Sequence, residues 1–232
     1  MWRHQATAFA DRRCIAPDLR GAGTAPAPDA ASEYSMRIYA EGVMALLDGE
    51  DVKRAVFCGL SMGGYIMFEL VRRFPDRIAA LVLCNTKATA DSAEAKLGRD
   101  ALAATARQRG ARTVANEMVP KLLAAETRAS QSDVVREVTE MIARQPVSGI
   151  VGALRALRDR PDSTATLAEI RVPALVVAGD DDQIAPADGM KAMAGRIAGA
   201  RFEMIRSAGH LTPLEQPHAF NAVLRTFLAM LD

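Results

Sequence analysis

The sequence predicts an α/β fold: a mostly parallel sheet with helices on both faces and a helical insert between two strands. Three observations carry this. Short, nearly all-apolar runs recur along the chain, and such runs are typical of parallel strands covered on both faces. Stretches with apolar residues at helical spacing alternate with them. One long block breaks the alternation, with helical patterns and no convincing strand.

Residues 2–10 place Trp2, Ala6, Phe9 and Ala10 at helical spacing. Cys14-Ile15-Ala16 reads as a short strand ending in the turn Pro17–Gly23, and a Pro/Ala-rich loop follows. Met36, Tyr39, Ala40, Val43, Leu46 and Leu47 mark an amphipathic helix. Residues 54–60 form a nearly all-apolar strand, and Gly63 to Phe74 a helix ended near Pro75. Further strands are expected at 79–84, 173–179 and 201–206, and further helices at 186–198 and 217–231. The division that follows is a core of 1–86 and 169–232 and a helical lid of 87–168. In that block Val134, Val138, Met141 and Ile142 share one helical face, and Ile150, Val151, Leu154 and Leu157 another. Such an insert can lie over the carboxyl ends of the strands, where open α/β sheets place their sites.

Composition narrows the function. The chain has 232 residues, half apolar and a quarter charged, enough to bury a sizeable core. A net charge of +1 with no long basic or acidic run points away from nucleic acid and from anionic membranes. No apolar run is long enough to span a bilayer, and the first residues lack the apolar stretch of a signal peptide. A cytoplasmic protein is expected. Cys14, Cys58 and Cys84 all lie in apolar, strand-like runs, so buried reduced thiols are expected.

Gly59-Leu60-Ser61-Met62-Gly63 matches G-x-S-x-G between a buried strand and a helix, where that motif has meaning. A sharp strand-to-helix turn crowds the backbone around the serine. Glycines two residues to either side relieve the crowding, and the hydroxyl projects. The Met62 N–H, at the helix start, faces the same space and can stabilise an oxyanion. The plainer reading is a glycine-rich turn with a capping serine.

A serine hydroxyl needs a neighbouring base. Of three histidines, His4 and His218 read as surface residues on helices. His210 follows a strand, in a loop on the same sheet edge as Ser61. The acid that orients the imidazole comes from Asp180-Asp181-Asp182, after the strand at 173–179. Chemistry alone leaves the choice among the three open. The order Ser…Asp…His is the one this kind of fold uses.

These residues resemble the α/β-hydrolase superfamily, and the resemblance covers nearly the whole chain. It rests on the Asp18–Gly23 turn, the Gly59–Gly64 segment, the Gly179–Asp182 turn, and Gly209-His210 followed by Glu215-Gln216-Pro217. Relatives with a G-x-x-D turn use its last aspartate, which implies Asp182 as the third triad member. Leu83-Cys84-Asn85-Thr86 is similar to lidded esterases and enol-lactone hydrolases. One departure stands out. Members normally begin with two or three more strands, and the loop after the third supplies a second oxyanion donor. This chain begins at the helix after that loop, so an authentic start further upstream is expected. Without the third strand, backbone edges and apolar side chains beside residues 54–60 should be left uncovered.

The implied chemistry is hydrolysis of a small ester or lactone. Ser61 attacks the carbonyl, His210 carries the proton, Asp182 orients His210, and the Met62 N–H holds the oxyanion. No metal or organic cofactor is implied. The expected partner is a small-molecule substrate, with self-association open. The same triad serves C–C bond hydrolases and perhydrolases, and some relatives bind ligands without turnover. Met118, Leu122, Met141, Ile142 and Leu154 are candidates to line a pocket, though most read better as lid core.

Overall fold

The computed structural model describes residues 1–231. Strands β1 (Ala55–Leu60), β2 (Ile78–Cys84), β3 (Ala174–Gly179) and β4 (Arg201–Ile205) form one sheet in the order β1-β2-β3-β4. All three pairings are parallel. Leu60 lies beside Cys84, Cys84 beside Val177, and Gly179 beside Ile205, so the carboxyl ends align. The loops after all four strands therefore open on one edge. Parallel neighbours need crossovers: α3 (Met62–Arg73) joins β1 to β2, and α8 (Ala187–Ala194) joins β3 to β4.

Alternation of side chains along each strand builds two cores. Leu81, Leu83, Val176 and Ala178 face a core shared with α2 (Met36–Gly49), α3 and α8. Ala80, Val82, Cys84, Leu175 and Val177 face the other, closed by Phe9 and by Phe220, Leu224 and Phe227 of α10 (Pro217–Leu228). Because β2 and β3 are covered on both faces, they read as continuous apolar runs. Helix α1 (Arg3–Ala8) is tied to this second layer. The Gln5 amide donates to Pro213 O at 3.2 Å and Asn221 Oδ1 at 2.9 Å, and the Trp2 ring lies 6.2 Å from that of Phe220.

Between β2 and β3 lie α4 (Ala93–Leu122), α5 (Ala125–Ser130), α6 (Ser132–Ala143) and α7 (Val147–Arg158). Helix α4 is broken at Gly110, whose φ of 79° glycine adopts without steric cost. Ala106, Val114, Val151 and Leu154 form a core among these helices, joined by Met118 and Ile142. Both ends of the block meet at one buried ion cluster. Asp91 Oδ1 lies 2.7 Å from Arg160 Nη1, Asp91 Oδ2 lies 3.1 Å from Arg99 Nε, and the Arg160 guanidinium stacks 4.2 Å over the Tyr65 ring of α3. On its other flank α7 touches the Asp18–Gly23 turn: a Cβ at Gly149 would sit 1.8 Å from Gly21 O.

Two expectations are corrected. Cys14-Ile15-Ala16 is not a strand; it runs as exposed coil. A strand needs a ladder partner, and among the described residues this segment has none. β1 is accordingly an edge of the sheet, with Val56 and Ile15 each 37 % exposed. Cys14 is likewise exposed rather than buried, Cys58 is half-buried and Cys84 is buried; all three are free thiols. Among the described residues no helix is long and apolar enough to cross a membrane.

Candidate active site

Ser61 sits between β1 and α3 with φ 52° and ψ −108°, a backbone conformation that L-residues rarely adopt. Strain of this kind persists only where the surroundings impose it. Here the Ser61 N–H donates to Cys84 O at 2.8 Å, and Ser61 O accepts from Gly64 N–H at 2.9 Å and from Thr86 Oγ1 at 2.9 Å. The flanking glycines divide the work differently from the sequence reading. A Cβ on Gly59 would meet Gly63 C at 2.6 Å, whereas one on Gly63 would meet nothing. The turn therefore requires glycine at 59 because position 63 passes over it. Gly64 is needed as well, since its Cβ would lie 2.4 Å from the Thr86 hydroxyl that holds Ser61 O. The Met62 N–H, first in α3, has no partner in the helix's own ladder.

His210 follows β4 and Asp182 follows β3, and the two meet: His210 Nδ1 lies 2.8 Å from Asp182 Oδ2. Both are buried, at 3 % and 5 % exposure. Asp182 Oδ1 accepts from the N–H groups of Ile184 at 2.8 Å and Ala185 at 3.0 Å. Burial by itself would raise the Asp182 pKa. The His210 hydrogen bond and charge, the Ala185 N–H and the Asn85 amide outweigh it, and the carboxyl is held below its ordinary value. With Nδ1 engaged, the imidazole keeps Nε2 for a reacting group.

The other two aspartates find structural partners. Asp180 Oδ1 accepts from Ala208 N–H at 3.2 Å, and Asp181 Oδ2 from Ala125 N–H at the start of α5, at 2.9 Å. The three neighbouring carboxylates thus hold the His210 loop, the helical block and the imidazole respectively. Of the remaining histidines, His218 is exposed and His4 half-buried, on α10 and α1, and neither is hydrogen-bonded to Asp182.

Two buried residues without a role in the sequence reading complete the site. Asn85, just after β2, is fully buried with φ 47°. Its amide donates to Asp182 Oδ2 at 2.9 Å and Gly209 O at 3.1 Å, and its oxygen accepts from Thr212 Oγ1 at 2.7 Å. Glu215 of α9 (Thr212–Glu215) is 2 % exposed. Its Oε1 accepts from the N–H groups of Gly209 and Leu211, each at 3.0 Å, and its Oε2 from Ala124 N–H at 2.8 Å. The His210 N–H donates to Leu122 O at 2.8 Å, so the loop carrying His210 is bonded directly to the last residue of α4. Sequence held a faint signal for each: an asparagine closing an apolar strand, and an acid five residues after a histidine. Among the described residues no group of three or more His, Cys, Asp or Glu side chains is placed to hold a metal ion.

Contact across the sheet edge is close enough to test. A Cβ on Gly179 would lie 2.2 Å from Gly209 O and 2.4 Å from Ala208 O, both backbone atoms. Gly179→Ala is expected to push the Asp182 turn from the His210 loop, costing about 1–3 kcal/mol as overpacking does. Urea denaturation measures this.

A strained serine between a parallel strand and a helix, with an Asp–His pair in loops on the same sheet edge, is the arrangement that α/β hydrolases present. The chain belongs to that family: the alpha/beta hydrolase fold model matches residues 1–217. It is 28 % identical over 232 residues to 3-oxoadipate enol-lactonase 2 of Acinetobacter baylyi, covering 98 % of this chain and 84 % of the relative. Among solved structures it is similar to a thermophilic esterase from Thermogutta terrifontis, with TM-score 0.94, 36 % identity, and 99 % and 85 % of the two chains covered. It is also similar to the enol-lactonase of Burkholderia xenovorans, with TM-score 0.90, 30 % identity, and 98 % and 85 % covered.

Proposed function

We propose that this protein hydrolyses a small carboxylic ester or lactone through an acyl-serine intermediate, with Ser61 as nucleophile, His210 as general base and acid, and Asp182 as its orienting acid. The observation that carries this is the buried His210–Asp182 pair, 2.8 Å apart, on the sheet edge where the strained Ser61 lies. Asp182 fixes the imidazole tautomer, leaving Nε2 to take the Ser61 proton and return it to the leaving alkoxide. The Met62 N–H, at the positive end of α3, stabilises the tetrahedral oxyanion. Water activated by His210 then releases the acid. The esterase and enol-lactonase relatives support ester and lactone substrates in particular.

Half-buried Leu60, Leu122 and Met141 pack with Leu211 and Leu214, so the residues next to Ser61 and His210 in the chain share one apolar cluster with the helical block. We take residues 87–168 as the lid, with Leu122 and Met141 as its contribution to this apolar set, which suits a modest, apolar acyl group.

Short-chain p-nitrophenyl esters are expected to be hydrolysed, and a fluorophosphonate probe is expected to label Ser61. Absence of both, in folded protein, rejects the proposal. The pH profile is a further check. Asp182 is held below its ordinary value, so it stays ionised at neutral pH. Asp182 is therefore expected to add no limb of its own to kcat/KM near neutral pH. The same depressed carboxyl makes a contribution to stability that is fully present above its unfolded pKa. That contribution is lost as pH falls through the lower folded value.

A further inference from the structure

We propose that Asn85 is a positioning residue for the His210–Asp182 pair: its buried amide holds Asp182 Oδ2 and the His210 loop in the geometry that proton transfer requires. The inference rests on the functional reading above and extends it to a residue that never touches substrate.

The hydrogen bonds fix the direction of the amide. Thr212 Oγ1 donates to Asn85 Oδ1 at 2.7 Å, so Nδ2 points to Asp182 Oδ2 at 2.9 Å and Gly209 O at 3.1 Å. The flipped amide would set an oxygen against two acceptors. Both amide protons and the oxygen are therefore used, without water, at a fully buried position. Asp182 Oδ2 is shared, since it also meets His210 Nδ1 at 2.8 Å. One side chain thus joins the end of β2, the acid after β3 and the backbone next to His210 after β4. Of the other side chains described above, only Asp182 also touches all three loops, and it reaches the end of β2 through this amide.

Backbone geometry offers a competing explanation. Asn85 has φ 47°, which asparagine tolerates better than most residues, so it could be chosen for the turn alone. The two explanations separate cleanly, because glycine satisfies the backbone and removes the amide. Aspartate keeps the shape and exchanges both donors for a carboxyl. The other titratable groups nearby are His210, Asp180, Asp181, Glu215 and the Cys84 thiol. Asp180 and Asp181 face Ala208 N–H and Ala125 N–H, and Glu215 faces Gly209, Leu211 and Ala124 N–H. The Cys84 thiol is pushed up by burial and stays neutral. None of the four is hydrogen-bonded to Asp182 Oδ2, so a new carboxyl at 85 would couple chiefly to Asp182 and His210.

The experiment compares Asn85→Gly and Asn85→Asp with wild type on a p-nitrophenyl ester across pH. Thermal denaturation of each variant establishes that it is folded. Asn85→Gly is expected to lower kcat by about 10–100-fold, the usual scale for losing a group that orients a catalytic ligand, with little change in KM. In Asn85→Asp the two carboxyls share one proton at low pH, and the protonated Asp donates to Asp182 as the amide did. Loss of that proton should add a descending limb at higher pH that wild type lacks. Retention of wild-type kcat in Asn85→Gly, or an Asn85→Asp profile parallel to wild type, overturns the proposal.

A second readout needs no substrate. The downfield proton resonance of the His210 ring N–H, assigned by its loss in His210→Gln, should broaden or shift upfield in Asn85→Gly. If wild type hydrolyses no ester, the functional reading fails, and the resonance still decides whether Asn85 orders the pair. An unchanged resonance rejects the positioning role.

Discussion

Ser61→Ala is expected to lower kcat for ester hydrolysis by about 10⁶-fold, the scale found when the nucleophile of a serine hydrolase triad is removed. The reason is local. No other hydroxyl can occupy the strained position at the head of α3, beside the Met62 N–H, because that position exists only at this turn. The variant should fold normally. The hydrogen bonds that build the turn use the backbone N–H and O of residue 61 rather than its hydroxyl. Alanine accepts φ 52° about as poorly as serine, so stability should change little. Near-complete loss of turnover with an unchanged melting temperature is the expected pair of results. Residual activity above about one per cent of wild type would point to a different nucleophile and remove the mechanism.

Glu215→Ala is expected to have the largest effect on stability, about 3–5 kcal/mol, because it strands three buried backbone N–H groups at once. For a chain of this size that corresponds to a fall in melting temperature on the order of 10 °C. The donors belong to Gly209, Leu211 and Ala124, so the loss falls on the junction between the His210 loop and the helical block. Glu215→Gln should recover only part of it. An amide offers one acceptor oxygen, and its nitrogen would face an N–H. Thermal denaturation followed by circular dichroism gives the shift. A change under about 2 °C would mean that the junction is held by its apolar contacts among Val119, Leu123, Val138, Leu211 and Leu214.

The sheet was readable because its inner strands carry their burial in sequence. β2 and β3 are covered on both faces, so nearly every side chain is apolar and the boundaries fall within a residue of the expected ones. The segment at 14–16 shows the limit of that reading. Its side chains are apolar enough for a strand, but a strand exists only when a neighbour completes its hydrogen bonds. That condition is set by the rest of the chain and not by the segment. Cys14 was misplaced with it.

The site divides in the same way. Ser61 announces itself because the elbow requires glycine at 59 and places the serine at a fixed offset. His210 and Asp182 could be placed on the correct edge, since all parallel strands end there. Choosing among Asp180, Asp181 and Asp182 needed a resemblance, because adjacent carboxylates are chemically identical until their surroundings separate them. The fold separates them: one faces Ala208 N–H, one Ala125 N–H and one the imidazole. The sequence by itself therefore determined the α/β architecture, the edge that carries the Ser61, Asp182 and His210 loops, and the elbow serine, because local pattern and local turn geometry encode these. Only the tertiary structure decided the partner of His210, the bonding of Asn85 and Glu215, and the contact between the helical block and the His210 loop. Those depend on hydrogen bonds between residues as far apart as 127 positions, as between Thr212 and Asn85, and no local pattern records such a distance.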